Sequence, residues 1–324
     1  MRKNDIIIIT WEKASARERS LSKYFKWRLY NFKSKLKYLV PALYTLKLIL
    51  KYKPRVIIIQ LPQGPLLFWV VILKYLVRYK LVADMHSGFL IYDSWKGLLL
   101  NKPFIPFLKY SDLILVHNNN ILSLLREEIR IKSRVVYDPI IRKRCKPKLG
   151  NYILLISTFS EDEDIRFVLE GYLSSQMKYP IYITGDYRKN ISVYRDFHSY
   201  REIKFLGWIS DDLYERYLAG ARAIVTCTKR EYTMQRAIWE AALYEKVILI
   251  PRTRTLENLV DKFAIFYDYN NLKSIKSAFN RLFSISEEEL LKIGKKLNKY
   301  LIPKSYDSLN KFKKELSNLL KNKT

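Results

Sequence analysis

Nine short runs of β-branched and aliphatic residues, each four to six residues long and separated by stretches with helical spacing, constrain this chain more than any other feature. Four come first, at Asp5–Thr10, Arg55–Gln60, Lys80–Asp84 and Leu113–His117. After a gap the pattern starts again with Tyr152–Ser157, Ile181–Thr184, Ile203–Leu206, Ala223–Thr226 and Val247–Ile250. Runs that stay apolar without alternation belong to strands buried on both faces, and those occur in parallel sheets covered by helices. Helical segments are expected at Ser20–Tyr38 and on through Tyr52, then at Pro65–Tyr79, Leu98–Tyr110, Ile165–Ser175, Asp211–Ala219 and Thr233–Tyr244. The reading is an α/β chain with two doubly wound, Rossmann-like sheets in tandem. Domains are expected at 1–145 and 149–303, joined by linker-like composition in Asp138–Gly150 (DPIIRKRCKPKLG). A terminal helix entered through Pro303 is expected from Lys304, packing back on the first domain.

At 324 residues the chain exceeds the ~250–300 at which one core stops growing, which agrees with two domains. Cys145 and Cys227 have no CxxC spacing and no neighbouring histidine cluster, so neither a zinc site nor a disulfide framework is suggested. The apolar run Ile6–Thr10 is too short for a secretory leader. Lys74, Arg78 and Lys80 interrupt Pro65–Val82, where a membrane span would want ~20 residues with few charges. A reducing, cytoplasmic location is expected, with peripheral attachment to the inner membrane face.

The net charge of +28 is unevenly spread: residues 1–148 hold 30 Lys and Arg against 9 Asp and Glu, and residues 149–324 hold 29 against 22. A basic first half attracts polyanions, whether nucleic acid, anionic lipid headgroups or phosphate-bearing substrates, unless the excess is only a solvated lysine surface. Aromatics interleave with Lys and Arg in Tyr24–Tyr38 (YFKWRLYNFKSKLKY), which fits an interfacial helix or a helix packed on its own sheet. No helix-turn-helix, zinc-finger or RNP signature supports nucleic acid.

Ligands of doubly wound sheets bind beyond the carboxyl ends of the strands, so the loops there should face one another across an interdomain cleft. These are Thr10–Arg17, Gln60–Gly64, Asp84–Gly88, Ser157–Asp164, Thr184–Lys189 and Lys229–Thr233. In Asp84-Met85-His86-Ser87-Gly88, a glycine that permits a tight turn would bring a carboxylate and an imidazole to the sheet edge, as a general base requires. The alternative is that Asp84 only holds the loop. In STFSEDED, the hydroxyls of Ser157, Thr158 and Ser160 are expected to face a phosphate, with most of the carboxylates of Glu161–Asp164 turned to solvent. Lys229, Arg230, Glu231 and Thr233 crowd a helix start, where free N–H groups favour a diphosphate, and Glu240 lies further along that helix. GxGxxG and Walker motifs are absent, and Asp162-Glu163-Asp164 opens a helix rather than forming a metal-clamping DxD loop, so no cofactor and no metal are expected.

Taken in order, STFSEDED, YITGDYRKN, IKFLGWISDDLYERYLAGARAIV and TKREYTMQRAIWEA, with TWEKASARERS, ADMHSGFLIYDSW and VHNN ahead of them, resemble GT-B glycosyltransferases of the family 4 (group 1) type. STFSEDED is similar to a segment of the mannosyltransferases that extend dolichol-diphosphate chitobiose. The resemblance implies a nucleotide-sugar donor, UDP- or GDP-linked, on the second domain. The base would lie near Phe205–Trp208, with Gly207 and Trp208, and near Thr184, Gly185 and Asp186. Ribose would meet Glu240. The diphosphate would rest on Ser157, Thr158, Phe159 and Ser160 and on Thr233, Met234 and Gln235, while Lys229 and Arg230 replace the Arg and Lys that many members carry after the first donor-domain strand. Glu231 and Glu240 are nine apart where retaining members space two glutamates by eight, so inversion with Glu12, Asp84 or His86 as base is an equal expectation. Thr10, Trp11, Arg17 and Gly88 are implied on the acceptor side, toward a hydroxyl of a lipid-phosphate-linked, glycan or protein acceptor at an anionic membrane surface. A nucleic-acid-binding module and a non-catalytic GT-B partner subunit are the alternatives.

Overall fold

The computed structural model describes residues 5–11, 14–34, 38–92, 94–140 and 145–321. The chain divides into two compact units, Met1–Ile141 with Lys304–Thr324, and Arg142–Pro303. Along the first unit run β1 (Ile6–Trp11), α1 (Ala16–Phe25), β2 (Arg28–Phe32), α2 (Leu39–Tyr52), β3 (Val56–Leu61), α3 (Gly64–Leu76), β4 (Lys80–Met85), α4 (Trp95–Asn101), β5 (Leu113–Val116), α5 (Asn119–Leu124), α6 (Glu127–Arg130) and β6 (Ser133–Val135). The strands form one parallel sheet in the order β2-β1-β3-β4-β5-β6.

β1 and β3 are buried along their whole length, which is why their sequences do not alternate. With side chains pointing to opposite faces in turn, Ile6, Ile8, Val56, Ile58 and Val82 fall on one side with Leu21 of α1. Ile7, Ile9, Ile57 and Ile59 supply the other side and are equally buried, and α3 packs against β3 and β4. Each such aliphatic side chain contributes roughly 1.5–3 kcal/mol by leaving water.

Two expectations are corrected here. Ser20–Tyr38 is not one helix: α1 ends where Lys26 turns left-handed (φ 58) and its N–H bonds the Ser22 carbonyl, and Arg28–Phe32 then joins the sheet edge beside β1. Three of the aromatics that suggested an interfacial helix, Tyr24, Phe25 and Trp27, pack against the core, with Trp27 stacked on Phe25 at 4.2 Å and edge-on to Phe312 at 6.0 Å. Nor does the terminal helix begin at Pro303.

The second unit contains β7 (Ile153–Leu155), α7 (Ile165–Leu173), β8 (Ile181–Thr184), α8 (Ile191–Phe197), β9 (Ile203–Gly207), α9 (Asp211–Gly220), β10 (Ala223–Val225), α10 (Arg236–Leu243), β11 (Val247–Pro251), α11 (Arg254–Val260), β12 (Ile265–Tyr267), α12 (Leu272–Ser284) and α13 (Glu287–Lys321). Its sheet is also parallel, ordered β12-β11-β10-β7-β8-β9. α13 runs through Pro303, and its stretch from Lys304 belongs to the first unit, where Leu309, Phe312 and Leu316 complete the core face of Ile6 and Ile8. No helix among the described residues is long and apolar enough to cross a membrane; Pro65–Val82 divides into α3 and β4.

In each sheet the chain reverses direction of travel once, between β1 and β3 and between β7 and β10. Strand-end loops splay apart at such a point, leaving a crevice for ligand.

Phe312→Ala tests the role of the last helix. This buried ring touches Phe25 and Trp27, and its loss should cost about 3–5 kcal/mol in chemical denaturation. A loss under about 1 kcal/mol would show that the helix is not part of that core.

Candidate functional site

At the switch point of the first unit, Gln63 fills the gap between β1 and β3. Its Oε1 accepts the Trp11 N–H at 2.7 Å, and its Nε2 donates to the Trp11 carbonyl and to Thr10 Oγ1. Gln60 Oε1 accepts the Ser15 N–H at 3.2 Å, and the Trp11 indole donates to Thr45 Oγ1 at 3.0 Å. Thr10 and Trp11, expected on the acceptor side, are therefore buried parts of the scaffold. Glu12 lies outside the described residues.

Arg17 is also not at the surface. From the first turn of α1 its Nε reaches both oxygens of Asp84, at 2.8 and 3.1 Å, and its Nη1 donates to Asp138 Oδ1 at 2.9 Å. The Arg17 and Asp84 side chains are 2% and 0% exposed. Burial opposes the charge on Arg17, but Asp84 and Asp138 outweigh it and hold the guanidinium above its ordinary value. Burial raises the Asp84 carboxyl in spite of Arg17. A carboxylate so enclosed positions Arg17 and has no open face for an acceptor.

Two residues further along, His86 is placed differently. Its Nε2 lies 2.9 Å from Glu18 Oε1, its side chain keeps 21% exposure, and its ring meets the His117 ring at 4.4 Å. Ser15, the N-cap of α1, donates its hydroxyl to the other Glu18 oxygen. Burial alone would lower the His86 pKa, yet Glu18 and then Asp84 raise it, while burial, Arg17 and His86 push His117 well below the ordinary value. Glu18 stays ionised because His86, Ser15 and Arg17 together overcome its burial. The result is an imidazole oriented by a buried carboxylate, able to exchange a proton with a group outside. Gly88 keeps an ordinary φ, so the turn after β4 is a single 3₁₀ turn, Ser87–Phe89, and not a glycine-dependent one.

Ligand atoms of Asp84, His86 and His117 lie within 4.8 Å of one another, and His117 Nε2 is buried with no hydrogen bond, 3.9 Å from Asp84 Oδ1. Arg17 already engages both Asp84 oxygens, so a divalent ion there would face a fixed cation across one carboxylate. The trio fits a metal poorly.

In the second unit the loops after β7 and β10 are stitched together. The expectation that most acids of STFSEDED turn to solvent is overturned, because only Glu161 is exposed, Asp162 and Asp164 are engaged, and Glu163 folds back into the cradle intended for a phosphate. Its Oε2 accepts from Ser157 Oγ (2.7 Å), the Thr158 N–H (2.8 Å), Thr158 Oγ1 (3.2 Å) and the Ser160 N–H (3.2 Å). Phe159 takes a left-handed φ of 55, which directs the flanking N–H groups at one point while its own ring packs into the core. Asp162 takes Thr228 Oγ1 on its side chain and the Lys229 N–H on its carbonyl; Asp164 caps α7 through the Phe167 N–H.

The cations are paired in the same network, Lys229 with Asp164 at 3.0 Å and Arg230 with Asp162 at 3.5 Å. α10 begins at Arg236, three residues later than expected. Gln235, instead of opening to ligand, accepts from Thr226 Oγ1 at 2.6 Å and donates to the Cys227 carbonyl at 2.8 Å. Glu231 accepts the Thr255 N–H at the start of α11. Thr233 Oγ1 is buried with no partner, a donor left for something else, and Met234 is half-buried beside it. Glu240 is held by Arg236 Nε at 2.8 Å and the Tyr214 hydroxyl at 2.6 Å, which leaves lone pairs on both oxygens for further donors.

Gly185 (φ 108) is required by close approach, since a Cβ there would stand 2.2 Å from the Ser157 carbonyl oxygen. Thr184 is buried at the end of β8, Asp186 is tied up by Arg188, and Gly207 (φ 70) turns the chain so that Trp208 projects 70% exposed. Phe159, Glu163, Lys189 and Lys229 line a cavity of about 220 Å³ beside the nest. Glu18, Asp138, Glu163 and Tyr214 were missed by sequence reasoning. Only the helical spacing of Ser15 and Glu18, three apart, signalled one of them.

The His86–Glu18 pair predicts a pH dependence of stability. A raised folded pKa gives stability that is full below the unfolded histidine value of about 6.5 and is lost as pH rises through the folded value. Denaturation midpoints should fall over that window, and Glu18→Gln should flatten the fall; an unchanged slope in that variant would mean the pair is not formed.

No protein-family model matches the sequence, and no curated protein matches it. Solved structures do. Anabaena HepE in complex with UDP and glucose superposes with a TM-score of 0.77 at 11% identity, covering 97% of this chain and 99% of that one. A glycosyltransferase from Rickettsia africae gives 0.74 at 14% identity over 98% and 99%. The sucrose-phosphate synthase of Thermosynechococcus elongatus gives 0.73 at 12% identity over 97% and 99%. The fold is GT-B, with two Rossmann-like units.

Proposed function

We propose that this chain is a glycosyltransferase that moves a sugar from a UDP- or GDP-linked donor to a hydroxyl acceptor. The observation that carries the reading is the nest at the β7/β10 switch point, where the Thr158 and Ser160 N–H groups and the Ser157 and Thr158 hydroxyls converge on one anionic oxygen of Glu163. A diphosphate oxygen uses the same donors. The similarity of fold to HepE, which was solved with UDP and glucose, supports a nucleotide-sugar donor.

In this reading the diphosphate displaces Glu163 from the nest. Lys229 and Arg230 move from Asp164 and Asp162 to the phosphate oxygens, the buried Thr233 hydroxyl gains a partner, Glu240 takes ribose hydroxyls, and Trp208 offers a face to the base. Transfer needs a base to take the proton of the acceptor hydroxyl as its oxygen bonds the anomeric carbon and the bond to the diphosphate breaks; His86, oriented by Glu18, is the group in the first unit with the chemistry for it. The charge left on the diphosphate spreads over the nest and the two cations, so no metal is needed. The likeness of STFSEDED to dolichol-linked mannosyltransferases favours a lipid-diphosphate-linked acceptor at an anionic membrane surface. A second reading, a non-catalytic GT-B subunit, is favoured by the self-filled nest alone.

A thermal-shift panel of UDP, GDP and ADP with their sugar forms tests the donor. One base should raise the melting temperature, by an amount equivalent to about 2.7 kcal/mol at a hundred times Kd. Losing a charged hydrogen-bonding group at Glu240 (Glu240→Ala) should weaken that nucleotide about tenfold, and Glu163→Gln should tighten it by a similar factor. No shift with any nucleotide, in either the parent or Glu163→Gln, overturns the reading. Binding without transfer or donor hydrolysis supports the second.

A further inference from the structure

The outward side of the layer formed by α2, α3, α4 and the 3₁₀ segment Lys102–Tyr110 is exposed among the described residues, and it is apolar. Thirteen of the twenty-two exposed large hydrophobic residues among those described fall between Tyr38 and Tyr110, so the apolar surface is concentrated on this layer. Leu39, Leu43, Leu50, Tyr75, Leu76 and Trp95 are 52–73% exposed. On α2 the positions 39, 43, 46 and 50 repeat at i, i+4, i+7 and i+11, which puts them in one stripe pointing away from Thr45, Leu48 and Ile49 in the core. The layer is continuous: the Trp69 indole of α3 donates to the Ala42 carbonyl of α2 at 2.9 Å, and Phe68 meets Phe107 at 5.0 Å and Phe104 at 6.0 Å.

Its charge is one-sided. Between positions 38 and 110 the sequence holds ten Lys and Arg and two acids, Asp84 and Asp93, and Asp84 is fully buried on Arg17. Lysines stand beside exposed aromatic rings, with Lys96 over Trp95 at 5.8 Å and Lys109 over Tyr110 at 5.1 Å. Lys47 and Lys51 flank the α2 stripe. Leu stripes with Trp and Tyr at the margin and ammonium groups around them match the profile of a lipid–water boundary, where aliphatic chains enter, indole and phenol rings stay at headgroup depth and lysines meet lipid phosphates.

We infer that this face of the first unit docks on an anionic lipid bilayer. It names the surface for the acceptor side of the function proposed above and replaces the helix expected at Tyr24–Tyr38, where Tyr24, Phe25 and Trp27 pack against the core of the first unit. A second copy of the chain is a poor occupant. Face-to-face pairing would bring two basic surfaces together with no exposed acid in the described part of the patch to compensate.

Co-sedimentation of the full chain with vesicles is the test, using phosphatidylcholine alone and phosphatidylcholine mixed with phosphatidylserine. Binding is expected to the mixed vesicles, weakening as salt is added, and Leu43→Asp with Leu50→Asp should reduce it by roughly tenfold or more. Both positions are exposed, so circular dichroism and the nucleotide-induced thermal shift should not change. Lys47→Glu with Lys51→Glu, which removes no apolar contact, should reduce binding as well. Absence of binding to mixed vesicles, binding that either pair of substitutions leaves intact, or a concentration-dependent dimer that Leu43→Asp abolishes would overturn the inference. The nucleotide shift reports on the donor site separately, so vesicle binding without a shift retains this inference and defeats the function proposed above.

Discussion

A parallel sheet covered on both faces leaves polar chemistry one place to go, the ends of its strands. In β1, β3 and most of β4 every side chain lies against helix or sheet, and a charge in mid-strand would be surrounded by isoleucine. Asp84 stands next to last in its strand, Gln60 likewise, and Ser157 and Thr226 just past theirs. The order of strands then decides which ends gape apart. The β1/β3 and β7/β10 gaps are where Gln63 in one unit and Glu163 in the other are found, each satisfying backbone N–H groups that the sheet cannot reach.

Those two gaps are filled on different terms. Around Arg17 the partners are almost wholly out of water, so removing either Arg17 or Asp84 would strand a buried charge, a loss of about 3–5 kcal/mol in general. That network is permanent structure, and it fixes α1 so that Glu18 can aim His86. The nest around Glu163 is half-exposed, and water competes for every bond in it. Exchanging one anion for another there conserves the hydrogen bonds and requires only a side-chain rotation.

The fold was legible because burial on both faces removes polar residues from central strands and leaves short runs such as IIII and VIII. Peripheral strands were harder. Arg28–Phe32 at the sheet edge carries Arg, Tyr and Asn, and Ser133–Val135 and Ile265–Tyr267 are three residues long. The Lys26 turn depended on Trp27 finding Phe312, nearly three hundred residues away, and no local pattern contains that. At the strand ends the sequence located the loops but misjudged direction. Thr10, Trp11 and Arg17 are polar or amphipathic residues beside a strand, and they face inward because partners distant in sequence, Gln63, Thr45 and Asp84, receive them. Most of the acids of STFSEDED were expected outside on grounds of repulsion alone, without the left-handed Phe159 that makes a nest for one of them.

The acidic run itself shows which carboxylate is free to yield. Asp164 caps α7, pairs with Lys229 and accepts from the Tyr269 hydroxyl, so moving it would uncap a helix that carries Val168, Leu169 and Tyr172 into the core. Asp162 joins the loop after β7 to that after β10 through Thr228 and through the Lys229 N–H on its own carbonyl; withdrawing it would part the two loops. Glu163 holds neither a helix end nor a neighbouring loop. Its side-chain hydrogen bonds among the described residues are with Ser157, Thr158 and Ser160, and every one of those donors would serve an incoming oxygen as well. A run of four acids in a site for anions is thus less contradictory than its composition suggests. Glu161 is exposed, Asp162 and Asp164 build the loop and compensate cations, and Glu163 keeps the nest from collapsing or closing on backbone carbonyls until a stronger anion arrives.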